Sequence, residues 1–198
     1  MKKIAIFGGA FNPPHIGHAM VLEILERLFG GDEIWLMPSS SRADKAITTP
    51  DKDRLAMLNL VLKENFSEPK MPIIVSKLEL ERPKLTTTFD TLTELNKLYP
   101  GDEFYFVIGA DLVDNIEEKW IKGKELVKTA NFLAIKRAFL PVPKKHLPNL
   151  TILDKDVIWS DVSSTFVRKL IKQGYSGMPY ITRKISQYIK DNKLYSPS

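Results

Sequence analysis

Short apolar runs that alternate with longer amphipathic runs set the strongest limit on the fold of this chain. Apolar runs typical of strands cover residues 3–8, 33–38, 72–81, 103–109, 131–136 and, more weakly, 156–159. Apolar residues at helical spacing cover residues 16–29, 52–65, 89–98, 125–130, 164–173 and 180–191. Strands that are apolar on both faces and alternate with helices form parallel sheets covered on both sides. We therefore predict an α/β fold with a doubly wound parallel sheet and a small C-terminal helical part.

Size and composition favour one domain that binds anions. The 198 residues fit a single domain over 1–198, with the helices of about 163–195 packed on it, and such a length needs no disulfide or metal to stabilise a core. Cysteine is absent, which excludes a thiolate nucleophile and any Cys-ligated metal site. The net charge of +5 suits a binder of phosphates better than a nucleic-acid coat, which usually carries concentrated basic runs. We expect no nucleic-acid partner.

The segment from Ile4 to Leu22 contains no charged residue other than histidine, yet it is not typical of a membrane segment. Its glycines and prolines, among them Gly8, Gly9 and Pro13, are incompatible with a signal sequence or a spanning helix. We therefore expect a cytoplasmic protein with no membrane partner. The sequence leaves the oligomeric state open, a homo-oligomer included.

The segment after the first predicted strand carries the clearest chemical signal. It runs Gly8-Gly-Ala-Phe-Asn-Pro-Pro-His-Ile-Gly-His18, and we expect it at the protein surface. Glycines let backbone N–H groups approach a phosphate, and the start of the following helix attracts anions. His15 and His18 are three residues apart and share a face near that helix start. Two imidazoles directed at one anion, which would favour their charged form, suit phosphoryl or nucleotidyl transfer. A glycine turn with solvated or capping histidines is the alternative.

A second segment, Ser163-Ser-Thr-Phe-Val-Arg168, is also typical of an anion site. Serine and threonine at a helix start cap it and leave N–H groups for an anion, and Arg168 lies one turn further on. An ordinary helix cap with a surface arginine is the alternative. Ligands of doubly wound sheets bind beyond the carboxyl ends of the strands, where several such loops would meet.

These two segments resemble the His-x-Gly-His and Ser-Ser-Thr-x-x-Arg signatures of the nucleotidyltransferase superfamily. The resemblance is closest to bacterial nicotinate-mononucleotide adenylyltransferases and extends from Lys3 to Tyr195. It implies a Rossmann-like nucleotidyltransferase fold and transfer of AMP from ATP to the 5′-phosphate of nicotinate mononucleotide. The implied products are deamido-NAD and pyrophosphate, formed by direct in-line displacement during NAD biosynthesis. It also implies Mg²⁺, held largely by ATP oxygens and water rather than by protein ligands.

The resemblance assigns site residues to three groups. The implied catalytic residues are His15, His18, Lys45 and Arg168. The implied ATP-binding residues are Gly8, Gly9, Ala10, Phe11, His15, His18, Gly109, Asp111, Arg137, Ser163, Ser164, Thr165 and Arg168. The implied residues of the mononucleotide site are Asn12, Lys45, Thr86, Thr87, Thr88 and Trp120, and no side chain is implied as a metal ligand. For three of these residues an ordinary structural role is the alternative: a helix cap for Asp111, a core residue for Trp120 and a solvated lysine for Lys45.

Two departures from the family pattern concern the acceptor. Thr86 and Thr87 replace the family's Ser-Tyr, and Arg42-Ala-Asp-Lys45 replaces its Pro-His-Lys, although Arg54 keeps the family's helix position. The family recognises the nicotinate carboxyl through backbone N–H groups, here those of residues 87–89, so we expect acid preference to survive a change of side chain. Asp44, which adds a negative charge where the family has histidine, would act against this preference.

Several alternatives remain. They are nicotinamide mononucleotide or another phosphorylated acceptor, as in phosphopantetheine adenylyltransferases and cytidylyltransferases, and a non-catalytic nucleotide-binding regulator. The presence of His18 and Arg168 disfavours the regulator. A class I aminoacyl-tRNA synthetase is disfavoured by the short chain, which has no Lys-Met-Ser-Lys-Ser-like loop.

Overall fold

The predicted parallel sheet is confirmed in a computed structural model that describes residues 1–40, 47–82, 87–136, 143–158 and 160–196. Six strands form it within these ranges: β1 Lys3–Gly9, β2 Glu33–Pro38, β3 Ile73–Val75, β4 Glu103–Gly109, β5 Asn131–Ile135 and β6 Leu150–Leu153. Every pair of neighbours is parallel, and the order is β3-β2-β1-β4-β5-β6. This is the doubly wound order, in which the crossovers run to opposite sides from β1 and β4. The ends of β1 and β4 therefore border the expected ligand crevice.

Helices cover both faces of this sheet. In the described part of the chain they are α1 Ile16–Leu28, α2 Asp51–Asn65, α3 Thr88–Leu98, α4 Ile116–Lys119, α5 Gly123–Thr129, α6 Ser164–Lys172 and α7 Arg183–Asp191, with a 3-10 helix at Ala110–Asn115. None of the helices in these ranges is long and apolar enough to cross a membrane.

Alternate residues of the central strands enter two different cores. Ile4 and Ile6 of β1 pack on the side of α3, α4 and α5, whereas Ala5 packs on the side of α1 and α2. This alternation follows from the two-residue period of a strand, and it explains why the strand sequences are apolar throughout. A third cluster joins α2 to α6 and α7 through Met57, Val61, Val167, Ile181, Ile185 and Ile189. That cluster brings the start of α6 back to the end of β1.

The sequence prediction is wrong for the last strand and too long for the third. The described residues of 156–158 form no strand, because Asp156 adopts a left-handed backbone (φ +51°) in a turn and Ile158 is exposed. The sheet is completed instead by β6, where Leu153 is buried. After β3 the chain turns, since the Lys77 carbonyl accepts hydrogen bonds from the N–H groups of Leu80 and Glu81.

Candidate active site

The loop after β1, residues 10–15, is buried rather than lying at the surface as we expected. Phe11 is 1% exposed, and Asn12 and His15 are each 8% exposed. The left-handed backbone conformation also falls on Phe11 (φ +45°) and not on Gly8 or Gly9, which end β1. A Cβ at Gly9 would lie 3.3 Å from the Phe11 ring. Glycine at this position therefore makes room for an aromatic ring.

Hydrogen bonds from three separate parts of the chain, namely Ser39 after β2, helix α2 and helix α6, hold the carbonyl oxygens of this loop and of Gly9 just before it. Ser39 N donates to Gly9 O at 2.9 Å, and Arg54 Nη1 donates to Ala10 O at 2.8 Å. Arg168 Nη1 donates to Asn12 O at 2.7 Å, and Ser164 Oγ donates to Pro13 O at 2.8 Å. Carbonyl lone pairs that pointed at a phosphate would repel it. Because these oxygens are bound elsewhere, the loop is fixed in a form that is compatible with an anion.

Arg54 and Tyr195 also hold this loop, although our site assignment did not include them. The Arg54 side chain is fully buried and pairs with Asp51 Oδ1 at 2.5 Å while it holds the Ala10 carbonyl. The Tyr195 hydroxyl donates to Asn12 Oδ1 at 2.5 Å. The family pattern pointed to Arg54, but no sequence signal could pair residues 12 and 195, which are far apart in the chain.

His15 and His18 lie together at the start of α1. Their ring centroids are 3.8 Å apart, and His18 Nδ1 accepts a hydrogen bond from the His15 backbone N–H at 3.0 Å. The Phe11 ring packs against His18 with its centroid at 4.9 Å. The His15 side chain also lies near the His18 backbone N–H, as in a capping box. This second contact is loose, because His15 Nδ1 forms no hydrogen bond of normal geometry among the described residues.

Burial favours the neutral form of both imidazoles, whereas we expected a neighbouring anion to favour their charged form. It lowers the pKa of His15 to about 4. Burial, followed by the nearby His15, also holds the pKa of His18 well below its usual value of 6.5. A neutral imidazole that accepts at Nδ1 carries its proton on Nε2. The geometry thus presents His18 Nε2–H as a hydrogen-bond donor.

Gly17, between the two histidines, is packed closely against the His15 ring. A Cβ at this position would lie 3.1 Å from both Cε1 and Nδ1 of the His15 ring. Any side chain here would displace that ring. The glycine of the His-x-Gly-His signature therefore preserves the paired position of the imidazoles.

The start of α6 meets the loop after β1, so the two predicted phosphate segments are adjacent. Ser163 caps the helix by accepting from Phe166 N at 3.2 Å. Ser164 and Arg168 provide the contacts to the loop given above, and Arg168 Nη2 also donates to Thr165 Oγ1 at 3.2 Å. A guanidinium has five N–H donors, more than these bonds use. The arrangement orients Arg168 towards the loop and retains donors for an anion.

The end of β4 and the segment after α4 contribute the remaining described candidates. Gly109 precedes the 3-10 helix, and Asp111 lies half-buried in its first turn. Trp120 is half-buried, packs against the core on the α3 side of the sheet, and has its ring centroid 6.4 Å from that of Phe132. Trp120 is therefore a core residue on at least one side of its ring.

At the start of α3, hydrogen bonds within the helix cap already use some of the predicted donors. The N–H and the hydroxyl of Thr87 donate to Asp90 Oδ2 at 3.0 and 2.8 Å, and Asp90 N donates to Thr87 Oγ1 at 3.2 Å. The hydrogen bond from the Thr87 hydroxyl lowers the pKa of the Asp90 carboxyl, which is ionised. The backbone N–H groups of Thr88 and Phe89 remain in the first turn, and Lys122 Nζ lies 4.1 Å from the Phe89 ring centroid.

Five predicted or discussed positions lie outside the described residues: Arg42, Asp44, Lys45, Thr86 and Arg137. Among the residues that the structure describes, no group of three or more His, Asp or Glu side chains could hold a metal ion.

Comparisons with known proteins agree on one family. The family model described as cytidylyltransferase-like matches residues 6–170. A Bacillus subtilis (strain 168) nicotinate-nucleotide adenylyltransferase is 36% identical, over 98% of this chain and 99% of the relative. Among solved structures, a Plasmodium falciparum nicotinic acid mononucleotide adenylyltransferase complexed with NaAD superposes with a TM-score of 0.87 at 28% identity, covering 98% of both chains. The same Plasmodium enzyme complexed with APC gives a TM-score of 0.82 at 27% identity.

Proposed function

Because the chain belongs to the cytidylyltransferase-like family, and within it to the nicotinate-nucleotide adenylyltransferases, we propose that the loop after β1 and the start of α6 form its ATP-phosphate site. The protein is a nucleotidyltransferase that transfers AMP from ATP to nicotinate mononucleotide in NAD biosynthesis. The observation that supports the site assignment most strongly is the joining of the two segments by Ser164 and Arg168.

The reaction needs no covalent intermediate with the protein. The protein contributes by positioning the two substrates and by stabilising the charge that develops on the phosphates. A phosphate oxygen of the mononucleotide attacks the α-phosphorus of ATP. As that P–O bond forms, the bond from the α-phosphorus to the bridging oxygen breaks and pyrophosphate leaves with the electron pair. Preorganised donors that meet the developing charge supply most of the acceleration in such transfers. His18 Nε2–H is the donor that we assign to the α-phosphate, with His15 beside it.

Arg168 is assigned to the β- and γ-phosphates, which leave as pyrophosphate. Its planar fork can bind two phosphate oxygens at once, and its bond to Asn12 fixes the plane of that fork. The amides and hydroxyls of Ser163, Ser164 and Thr165 lie beside it at a helix start, where anions are stabilised. We assign Gly8, Gly9, Ala10, Phe11, Gly109, Asp111 and Arg137 to the rest of the ATP site.

Mg²⁺ is the cofactor that we propose, bound chiefly through ATP. The described residues offer no carboxylate cage, and Mg²⁺ commonly keeps several waters and binds substrate phosphates instead. The donor set therefore fits a metal that arrives with the nucleotide. When bound, Mg²⁺ would neutralise part of the phosphate charge, while the imidazole and guanidinium donors of the chain orient the same phosphates.

The acceptor site is proposed on the other side of the crevice, around the start of α3. The N–H groups of Thr88 and Phe89 suit a carboxylate, since a helix start favours negative charge. Trp120 is assigned to stacking on the pyridine ring. Asn12, Lys45, Thr86 and Thr87 complete the mononucleotide site, with Lys45 directed at the acceptor phosphate.

The remaining assignments concern the whole protein. We propose a single domain over residues 1–198, a cytoplasmic location, and ATP and a pyridine mononucleotide as the partners, with neither nucleic acid nor membrane among them. Light scattering after size-exclusion chromatography would show whether the protein forms a homo-oligomer.

Incubation of the purified protein with ATP, Mg²⁺ and a panel of acceptors tests the function. The panel contains nicotinate mononucleotide, nicotinamide mononucleotide and 4′-phosphopantetheine, and both pyrophosphate and the adenylylated product are measured. We expect deamido-NAD and an equal amount of pyrophosphate from nicotinate mononucleotide. Pyrophosphate release with another acceptor alone would contradict the assigned substrate, and nucleotide binding without turnover would indicate a regulator.

A further inference from the structure

The C-terminal tail, residues 192–196, reaches back to the loop after β1. Lys193 and Tyr195 both adopt left-handed backbone conformations (φ +52° and +57°), so the tail bends after α7 instead of continuing away from it. Leu194 and Tyr195 pack against the cluster that joins α2, α6 and α7. The tail is thereby fixed beside the crevice.

The Tyr195 hydroxyl then meets Asn12 in a confined polar environment. Its hydrogen bond to Asn12 Oδ1 is short, at 2.5 Å, and Asn12 is 8% exposed. Buried Thr49 lies beside the same hydroxyl, and Arg54 and Arg168 lie close enough to interact with it electrostatically. A tyrosine that packs against the cluster joining α2, α6 and α7 and donates to Asn12 has little freedom to release it.

This contact decides how the Asn12 amide is oriented. Because Oδ1 accepts the tyrosine proton, the amide nitrogen, which can only donate, is the group left for other partners. The backbone carbonyl of Asn12 is held separately by Arg168 Nη1 at 2.7 Å. Asn12 is therefore held at its main chain by the residue assigned to ATP and at its side chain by the tail.

We propose that Tyr195 is a positioning residue for the acceptor: it orients the Asn12 amide so that its nitrogen donates to the nicotinate mononucleotide. This inference rests on the proposed assignment of Asn12 to that substrate. Tyr195 itself touches neither reacting atom, so its removal should affect the binding of the mononucleotide and not that of ATP.

Tyr188 offers a matched control. Its hydroxyl donates to Asp53 Oδ1 at 2.8 Å and links α7 to α2, but that contact does not involve the loop after β1. Tyr188→Phe and Tyr195→Phe thus remove one tyrosine hydroxyl each from the same end of the molecule. They differ in whether Asn12 loses its partner.

The experiment measures KM for nicotinate mononucleotide and for ATP in Tyr195→Phe, Tyr188→Phe and the parent, together with their thermal unfolding. We expect Tyr195→Phe to raise the mononucleotide KM by about three- to tenfold, the scale of one net hydrogen bond, with the ATP KM within about twofold. Tyr188→Phe should leave both constants within about twofold. If Tyr195→Phe is not stably folded, Thr49→Val changes the polar surroundings of the Tyr195 hydroxyl and should shift the same constant.

A double-mutant cycle with Asn12→Ala separates this inference from the site assignment on which it rests. Adding Tyr195→Phe to Asn12→Ala should cause no further rise in the mononucleotide KM. A normal mononucleotide KM in Asn12→Ala would overturn the assignment of Asn12 and the inference with it. A defect in Asn12→Ala without one in Tyr195→Phe, or fully additive effects, would overturn only the role of Tyr195.

Discussion

The two sides of the crevice are built in opposite ways. On the proposed ATP side, the loop after β1 is buried and is held by residues of α2, α6 and the C-terminal tail, and burial favours the neutral form of the histidines beside it. On the proposed acceptor side, the start of α3 is partly exposed, and its capping hydrogen bonds are made with its own residue Asp90. The donors on the proposed ATP side are therefore held in position by the rest of the fold. Side chains on the proposed acceptor side can be replaced with little effect on the rest of the fold.

Loss of His18 should give the largest effect. His18→Ala should lower kcat by a factor of about 10² to 10³, the range for removing one preorganised donor. Steady-state turnover with nicotinate mononucleotide measures it. His146→Ala removes an exposed histidine elsewhere and should leave kcat unchanged. If His18→Ala keeps kcat within threefold of the parent, His18 is not the donor and the rigid construction of the loop has another purpose.

Burial of the histidines should also appear in the acid stability of the protein. The pKa of His15 is lowered from 6.5 to about 4, so its contribution is fully present above pH 6.5 and is lost as the pH falls towards 4. Between pH 7 and pH 5 this amounts to about 2 kcal/mol of unfolding free energy.

Urea unfolding of the parent and of His15→Gln at both pH values measures that contribution. The parent should lose more stability than the variant on acidification. Equal losses in the two proteins would mean that His15 is solvated, and the contrast between the two sides of the crevice would lose its physical basis.

The choice of acceptor sharpens the comparison from the other side. Nicotinate mononucleotide should be preferred over nicotinamide mononucleotide by at least about tenfold in kcat/KM. A carboxylate is stabilised at a helix start, whereas an amide NH₂ would face donors without an acceptor.

The same ratio in His18→Ala is a useful control for acceptor choice. It should stay within about twofold of the parent value, because His18 is assigned to ATP and not to the pyridine ring. Equal use of the two mononucleotides by the parent would contradict recognition of the acid at α3. A ratio that collapses in His18→Ala would show that the two sides are not independent.

Removal of single charges near the start of α3 should change the ratio of the kcat/KM values for the two mononucleotides by small factors, in opposite directions. Asp90→Asn removes a negative charge near the proposed carboxylate site and should raise the preference for the acid by about two- to threefold. Lys122→Gln removes the cation above the Phe89 ring and should lower it by about the same factor. Competition kinetics with both mononucleotides resolve such changes, and shifts of the same sign would place the carboxylate elsewhere.

The sequence was informative where local pattern and packing coincide. The bounds of β2 and β4 were predicted residue for residue, because each is a short apolar run buried in the sheet. The run at β6 was missed because it has only four residues and directly follows a proline-rich stretch.

For the site, the sequence identified the segments but not the contacts between them. The two phosphate segments could be recognised by their motifs, and the structure places them together. The neutral state of the histidines could not be predicted, since it depends on burial by residues such as Phe11. The bond from Tyr195 to Asn12 depends on the tertiary fold alone.

The most direct test of the account is ¹⁵N NMR of the His18 ring in the otherwise unmodified protein between pH 5 and pH 8. Assignment by comparison with His18→Ala identifies its signals. We expect a neutral imidazole protonated at Nε2 at pH 6.5 and above, with titration only well below pH 6.5 and with Nδ1 accepting the hydrogen bond from the His15 N–H. A ring that titrates near pH 6.5, or one protonated at Nδ1, would contradict the claim that the buried loop presents His18 as a ready donor to the α-phosphate.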